Sequence, residues 1–224
     1  MHPPPKADAF EEGVFSPSTK VIYTRRDIRT FMDTPIPKDT IDRILHAAHH
    51  GPSVGFMQPW SFILVTEEHT KSRLAWAADK ERRALAIHYE DEKKERFLGI
   101  KIEGLMQAPL TICVTSDPTR GGSHVLGRNS IPETDLMSTA CAIQNMWLAA
   151  CAEGLGMGWV SFYKKNDVRD ILNIPPHIEP VALLSIGYTE HYPTKPILET
   201  ANWEKRRDLQ SVIYHGRWGN AEEI

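Results

Sequence analysis

The chain has 224 residues, of which 41% are hydrophobic and 25% are charged, a composition typical of a globular domain. Its net charge of −3 excludes the strongly basic surface that binds nucleic acid or an anionic membrane, so neither is expected as a partner. The sequence contains no apolar run of about 18 residues, which argues against a transmembrane helix. The N-terminus lacks the apolar stretch of a secretion signal, and we expect a cytoplasmic protein.

The predicted elements alternate between helices and strands along the chain. Residues 1–17 are rich in proline and polar side chains and predict a flexible N-terminal segment, whereas residues 18–224 are expected to form a single domain. Helical patterns cover 18–23, most of 67–107, and the ranges 134–153 and 166–172. A further helix is expected to begin at a cap formed by Asp39 and to stop at Gly51-Pro52. Strand patterns cover 61–66, 110–116, 157–162 and 180–187. This order predicts a layered α/β or α+β domain.

Cysteine and histidine usage gives no sign of a metal centre. The three cysteines are an odd number without CxxC spacing and are expected to be small buried hydrophobes in a reducing compartment. His46 and His50 have the i,i+4 spacing of a ligand pair, but no third ligand is evident. We therefore predict no metal site.

Two segments carry the clearest functional signal. Residues 25–29, the arginine segment, place three guanidinium groups around the carboxylate of Asp27, a composition suited to binding phosphate. Taken alone, such a cluster is more often a solvated turn. Residues 51–60, the glycine loop, run directly into the strand at 61–66, and Ser53 offers a hydroxyl group there. Its glycines allow a flat ligand to approach the backbone closely.

A third segment, Gly154-Leu155-Gly156-Met157-Gly158, superficially suggests a dinucleotide-binding loop. It follows a helix and precedes a strand, the reverse of the order in a Rossmann fold, so we interpret it as a helix stop. The chain has no GxGxxG and no Walker loop. A phosphate site of the Rossmann or P-loop type is therefore not indicated.

Together these segments resemble the flavin-binding segments of the FMN-dependent nitroreductase superfamily. The sequence PSVGFMQPW at 52–60 is similar to the branch of 5,6-dimethylbenzimidazole synthases. The resemblance covers about residues 21–218. It implies an α+β, nitroreductase-like three-layer α/β/α sandwich with a mixed sheet flanked by helices, and a homodimer with two FMN sites at its interface.

The resemblance also implies roles for individual residues. Asp27 and Ser161 would be the catalytic residues, and Arg25, Arg29 and, less securely, Arg206 would bind the FMN phosphate. The full set implied to contact the cofactor is Arg25, Arg26, Asp27, Ile28, Arg29, Ser53, Gly55, Met57, Gln58, Gly158, Trp159, Ser161 and Arg206.

The implied reaction is the O2-dependent fragmentation of reduced FMN to 5,6-dimethylbenzimidazole, the lower ligand of vitamin B12, and a four-carbon sugar phosphate. NAD(P)H would be the indirect reductant, with a flavin reductase as a partner that supplies reduced FMN. Two alternatives stay open: an NAD(P)H-dependent FMN nitro- or flavin reductase, and a non-catalytic FMN-binding protein. Asp27 argues against the reductase, because ordinary nitroreductases often carry serine there. Phe56 or Gly55 likewise replaces a common asparagine.

Overall fold

The computed structural model describes residues 17–99 and 104–220. The chain divides into two compact units, the first ending at Thr194 and the second beginning at Lys195. The expected flexible segment 1–17 lies outside the described residues except for Pro17, which begins a helix. That residues 18–224 form one FMN-binding domain stays a prediction.

The helices and strands follow the predicted order. The first unit contains helices α1 (Pro17–Thr24), α2 (Lys38–His49), α3 (Glu68–Leu85), α4 (Asp91–Leu98), α5 (Gly104–Gln107), α6 (Thr134–Ala152) and α7 (Lys165–Leu172), and strands β1 (Trp60–Val65), β2 (Leu110–Ser116), β3 (Gly156–Val160) and β4 (Glu179–Gly187). The second unit contains α8 (Ile197–Thr200). Each predicted strand ends within two residues of its observed bounds.

The start of α2 differs from the prediction. Asp39 was expected to cap this helix, but the helix begins at Lys38 and Pro37 occupies the cap position, with φ −56° and ψ 140°. Asp39 lies in the first turn, where its negative charge still complements the helix dipole. The fixed φ of proline already sets the entry of the chain into the helix.

The four strands form one sheet in the order β1-β2-β4-β3, and each neighbouring pair is antiparallel. Within the described residues, the parallel component of the predicted mixed sheet is one bridge, which joins Asp27 to Met157 on β3. All seven residues of β2 are buried, including the polar Thr111, Thr115 and Ser116, as expected for a central strand that is covered on both faces. The arginine segment thereby lies beside an edge strand.

Helices cover both faces of the sheet, which confirms the three-layer sandwich. Leu110, Ile112 and Val114 of β2 pack with residues of α2 and α6 in one core cluster. Cys113 packs in a second cluster with residues of α3, α5 and α7, because successive side chains of a strand point to opposite faces. Burial raises the pKa of the Cys113 thiol to about 12.

Over residues 17–99 and 104–220, no helix is long and apolar enough to cross a membrane. In the same ranges, no group of three or more His, Cys, Asp or Glu side chains could hold a metal ion. The histidines of α2 make local contacts instead. His49 Nδ1 accepts a hydrogen bond from the indole N–H of Trp60 (3.1 Å), and the ring of His50 lies 2.7 Å from the His46 carbonyl.

Candidate active site

The arginine segment lies directly against β3. The backbone N–H of Ile28 donates to the carbonyl of Met157 (3.0 Å), and the Ile28 side chain is buried. A Cβ atom at Gly158 would stand only 2.2 Å from the Ile28 carbonyl oxygen. Only glycine permits this approach, so Gly158 determines where the arginine segment can lie.

The Asp27 carboxylate and the Arg29 guanidinium bind to each other and to the backbone of β3 at its free edge. Arg29 Nε donates to Asp27 Oδ2 (2.5 Å), and the backbone N–H of Trp159 donates to Asp27 Oδ1 (3.2 Å). Arg29 Nη2 in turn donates to the Trp159 carbonyl (2.7 Å). The side chains therefore satisfy backbone groups that an edge strand would otherwise leave to solvent, and Asp27 is held in one orientation.

The environment of Asp27 perturbs its protonation. One third of the side chain is exposed (33%), but protein atoms surround most of the carboxylate. This desolvation raises the pKa of Asp27 above its ordinary value, although Arg29, the N–H of Trp159 and Arg25 each act to lower it. A carboxyl group with a raised pKa exchanges its proton closer to neutral pH, which suits an acid or base.

Arg25 stacks on an aromatic side chain of α6. Its guanidinium carbon lies 4.4 Å from the centre of the Trp147 ring, and Trp147 also contacts Trp159 with ring centres 6.5 Å apart. The buried indole N–H of Trp147 finds no acceptor among the described residues. The guanidinium of Arg25, held by stacking, donates no hydrogen bond within those ranges either, so donors remain available to a ligand.

The guanidinium of Arg26 differs from that of Arg25 because all three of its nitrogens donate to carbonyl groups of the chain. Arg26 Nη1 donates to the carbonyls of Tyr23 and Arg25 (both 2.8 Å). Nε and Nη2 donate to the carbonyl of Thr194 (3.2 and 2.5 Å). In this arrangement Arg26 joins the arginine segment to the chain after β4.

The glycine loop has an unusual backbone. Gly55, Phe56 and Gln58 have left-handed φ values of 57°, 54° and 46°, and such values in residues other than glycine mark strain or a functional constraint. Ser53 Oγ accepts the N–H of Gln58 (3.1 Å). The Ser138 hydroxyl on α6 accepts the N–H of Val54 (3.1 Å). These bonds fix the loop against the first turns of α6.

A buried arginine that the sequence analysis did not select contacts the glycine loop at Met57. Arg128 donates to Asp135 Oδ1 (2.9 Å) and to the sulfur of Met57 (3.0 Å). It also donates to the carbonyl of Arg120 (2.6 Å), and its side chain is only 10% exposed. Met57, predicted to contact the cofactor, is itself buried and lies on this arginine.

Ser161 immediately follows β3 and is exposed. Within residues 17–99 and 104–220 its hydroxyl has no hydrogen-bond partner, whereas its carbonyl accepts the N–H of Tyr163 (3.2 Å). Trp159 and Ser161 are two residues apart, and alternate residues of a strand share a face. Ser161 therefore continues the face on which Trp159 meets Trp147.

The predicted site residues form two clusters within one chain. One contains the arginine segment with Gly158 and Trp159, and the other is the glycine loop. Helix α6 contacts the glycine loop through Ser138 and the first cluster through Trp147. These residues are nine positions apart, about 13 Å along a helix. Arg206 is exposed in the second unit, and its role at the phosphate stays a prediction.

Comparison with known proteins shows the family to which the chain belongs. Residues 22–188 match the profile of the Nitroreductase family. The chain belongs to this family. A 5,6-dimethylbenzimidazole synthase of Rhodobacter capsulatus is 37% identical over 196 residues, which cover 88% of this chain and 95% of that protein. A synthase of the same name from Rhodospirillum rubrum is 36% identical over 183 residues, or 82% and 87% of the two chains.

These two relatives confirm the resemblance to the synthase branch. Among solved structures, iodotyrosine deiodinase bound to FMN and 3-iodo-L-tyrosine is similar, with a TM-score of 0.71 and 19% identity. The match covers 89% of this chain and 98% of that one. At this identity the likeness establishes the fold, and it confirms the nitroreductase-like architecture.

Proposed function

We propose that this chain is a 5,6-dimethylbenzimidazole synthase, an enzyme that uses O2 to fragment reduced FMN to 5,6-dimethylbenzimidazole and a four-carbon sugar phosphate. The observation that carries the proposal is the placement of Asp27. Its carboxylate has a raised pKa and lies between two arginines of the arginine segment, in a chain whose relatives bear the name of this synthase.

The donors of the arginine segment fit a phosphate ester. Neither the guanidinium of Arg25 nor Nη1 of Arg29 has a hydrogen-bond partner within the described ranges, and both arginines are partly buried. Arginine forks in such surroundings make strong, charge-assisted bonds to phosphate oxygens. The close approach permitted by Gly158 keeps these donors beside β3. The site therefore fits FMN at its phosphate end.

Bound reduced FMN would supply the electrons for O2 and the carbon atoms of the product. Arg25 and Arg29 would bind the phosphate, and Asp27, between them in the sequence, would then lie where the sugar chain begins. Asp27 can hold or release a proton at its carboxylate oxygens, and Ser161 can accept or donate one at Oγ. Breaking a carbon–carbon bond of the sugar chain requires such proton transfers.

A product assay tests the proposal. The protein is mixed in air with FMN, NAD(P)H and a separate flavin reductase, which we propose as the source of reduced FMN. We expect 5,6-dimethylbenzimidazole in chromatography and mass spectrometry, with loss of an equal amount of FMN. Omitting O2 or the protein is the control. Recovery of all FMN unbroken, with steady oxidation of NAD(P)H by a nitroaromatic compound when the separate reductase is left out, would instead identify a reductase.

We also propose a homodimer in which the two clusters of different chains complete each site. Large apolar side chains around the glycine loop are exposed, including Phe56 (82%), Leu126 (81%) and Met137 (55%). Large exposed apolar side chains are typical of a protein–protein interface when they cluster. We expect light scattering to show a dimer that persists on dilution and binds two FMN. A monomer saturated with FMN would contradict the shared site.

A further inference from the structure

Among the described residues, helix α4 has one buried side chain and one backbone carbonyl that receives a hydrogen bond from α3. Phe97 is the buried residue of α4 and is 3% exposed, whereas most of the remaining helix is charged. At the end of α4, Arg82 of α3 donates to the carbonyl of Leu98 (2.6 Å) and to Asp79 (2.6 Å). A cation at the C-terminal carbonyls stabilises a helix end, so Phe97 and Arg82 hold α4 in place.

Phe97 extends the second core cluster to the residues that follow β3. Its ring meets the ring of Phe162 edge to face, with centres 5.6 Å apart and planes at 86°. Tyr89 packs on Phe97 at 4.6 Å, and Phe162 packs against the cluster that contains Val160. Edge-to-face pairs favour a defined geometry, so the position of α4 and the ring of Phe162 depend on each other.

Phe162 is also the central residue of a tight turn that begins at Ser161. The N–H of Tyr163 donates to the carbonyl of Ser161 (3.2 Å), which closes a three-residue turn. A shift of the Phe162 ring that rotation of its side chain does not absorb changes the backbone angles within this turn. It would therefore move the Ser161 hydroxyl, which has no partner of its own among the described residues.

We propose that Phe97 is a positioning residue for Ser161. By packing on Phe162 it holds the turn at 161–163, and the docking of α4 is thereby coupled to the placement of the serine hydroxyl. The consequence for the reaction rests on the function proposed above, whereas the coupling itself belongs to the protein without FMN.

Hydrogen exchange of the FMN-free protein measures the coupling directly. In Phe97→Ala, exchange should accelerate in residues 91–99 and at the Tyr163 amide, by about threefold to tenfold from the lost ring pair. Phe97→Leu should recover part of the protection. The control is Ile87→Ala, because Ile87 lies nearby but is 74% exposed. Acceleration in α4 with an unchanged Tyr163 amide would overturn the proposal.

If Phe97→Ala does not fold, Phe97→Leu and Phe162→Leu carry the same test, since each weakens the pair from one side. Both should accelerate exchange in both segments, and a change confined to the mutated segment would overturn the proposal.

The product assay then tests the link to the serine. Phe97→Ala should lower the fraction of consumed reduced FMN recovered as benzimidazole by about tenfold or more, with FMN affinity within about threefold of wild type, and Phe97→Leu should restore part of that fraction. An unchanged fraction in a variant with faster Tyr163 exchange would overturn the link to Ser161. Absence of product from the wild type would contradict the proposed function and leave the exchange result standing.

Discussion

Asp27→Asn should lower the rate of benzimidazole formation by about 10²–10⁴-fold, the usual contribution of a general acid or base. The amide nearly preserves the shape of the side chain but cannot accept a proton. In wild type, one carboxylate oxygen of Asp27 accepts from the Trp159 N–H and the other from Arg29. The asparagine amide of the variant keeps one acceptor oxygen, which can still bind the Trp159 N–H. We therefore expect FMN affinity to stay within about tenfold of wild type.

The measurement is the rate of benzimidazole release at saturating reduced FMN, with FMN binding followed by flavin fluorescence. Asp33→Asn is the control, because Asp33 lies just beyond the arginine segment and is exposed. The pH profile provides a second readout. If Asp27 acts as the base, its raised pKa shifts the acidic limb of the profile upward, and this limb should be absent from Asp27→Asn. An asparagine variant with the wild-type rate and profile would remove Asp27 from the chemistry.

Arg29→Ala should weaken FMN binding by about one to two decades and weaken riboflavin binding far less. The expected loss comes from charge-assisted hydrogen bonds to the phosphate, worth roughly 1.5–3 kcal/mol. In Arg29→Ala the Asp27 carboxylate and the Trp159 carbonyl also lose their bonds to Arg29. Riboflavin lacks the phosphate, so its loss of affinity measures this second effect alone. Fluorescence titration with both flavins separates the two contributions.

Arg96→Ala is the matched control for this measurement, because Arg96 is a surface arginine that pairs with Glu92 on α4. It should leave both affinities unchanged. An equal loss of affinity for FMN and riboflavin in Arg29→Ala would show that Arg29 does not bind the phosphate. Arg25, whose guanidinium stacks on Trp147, would then be the next candidate.

Local sequence patterns were sufficient for the elements and for the family. The largely apolar pattern of β2 predicts a central strand, and all seven of its residues are buried. Gly154, with φ 77°, ends α6 as its position in the sequence predicts. The arginine segment and the glycine loop are short, contiguous motifs, so their likeness to nitroreductases could be recognised without coordinates.

The tertiary structure alone decided how these motifs work. The bond from Trp159 to Asp27 joins residues 132 positions apart. The stacking of Arg25 on Trp147 and the edge-to-face contact of Phe97 with Phe162 are also non-local. Neither hydrophobic periodicity nor spacing encodes such pairs, because they form only when separate elements pack on the same sheet. The left-handed Phe56 and Gln58 were equally hidden, since the surrounding contacts, rather than local preference, hold that backbone.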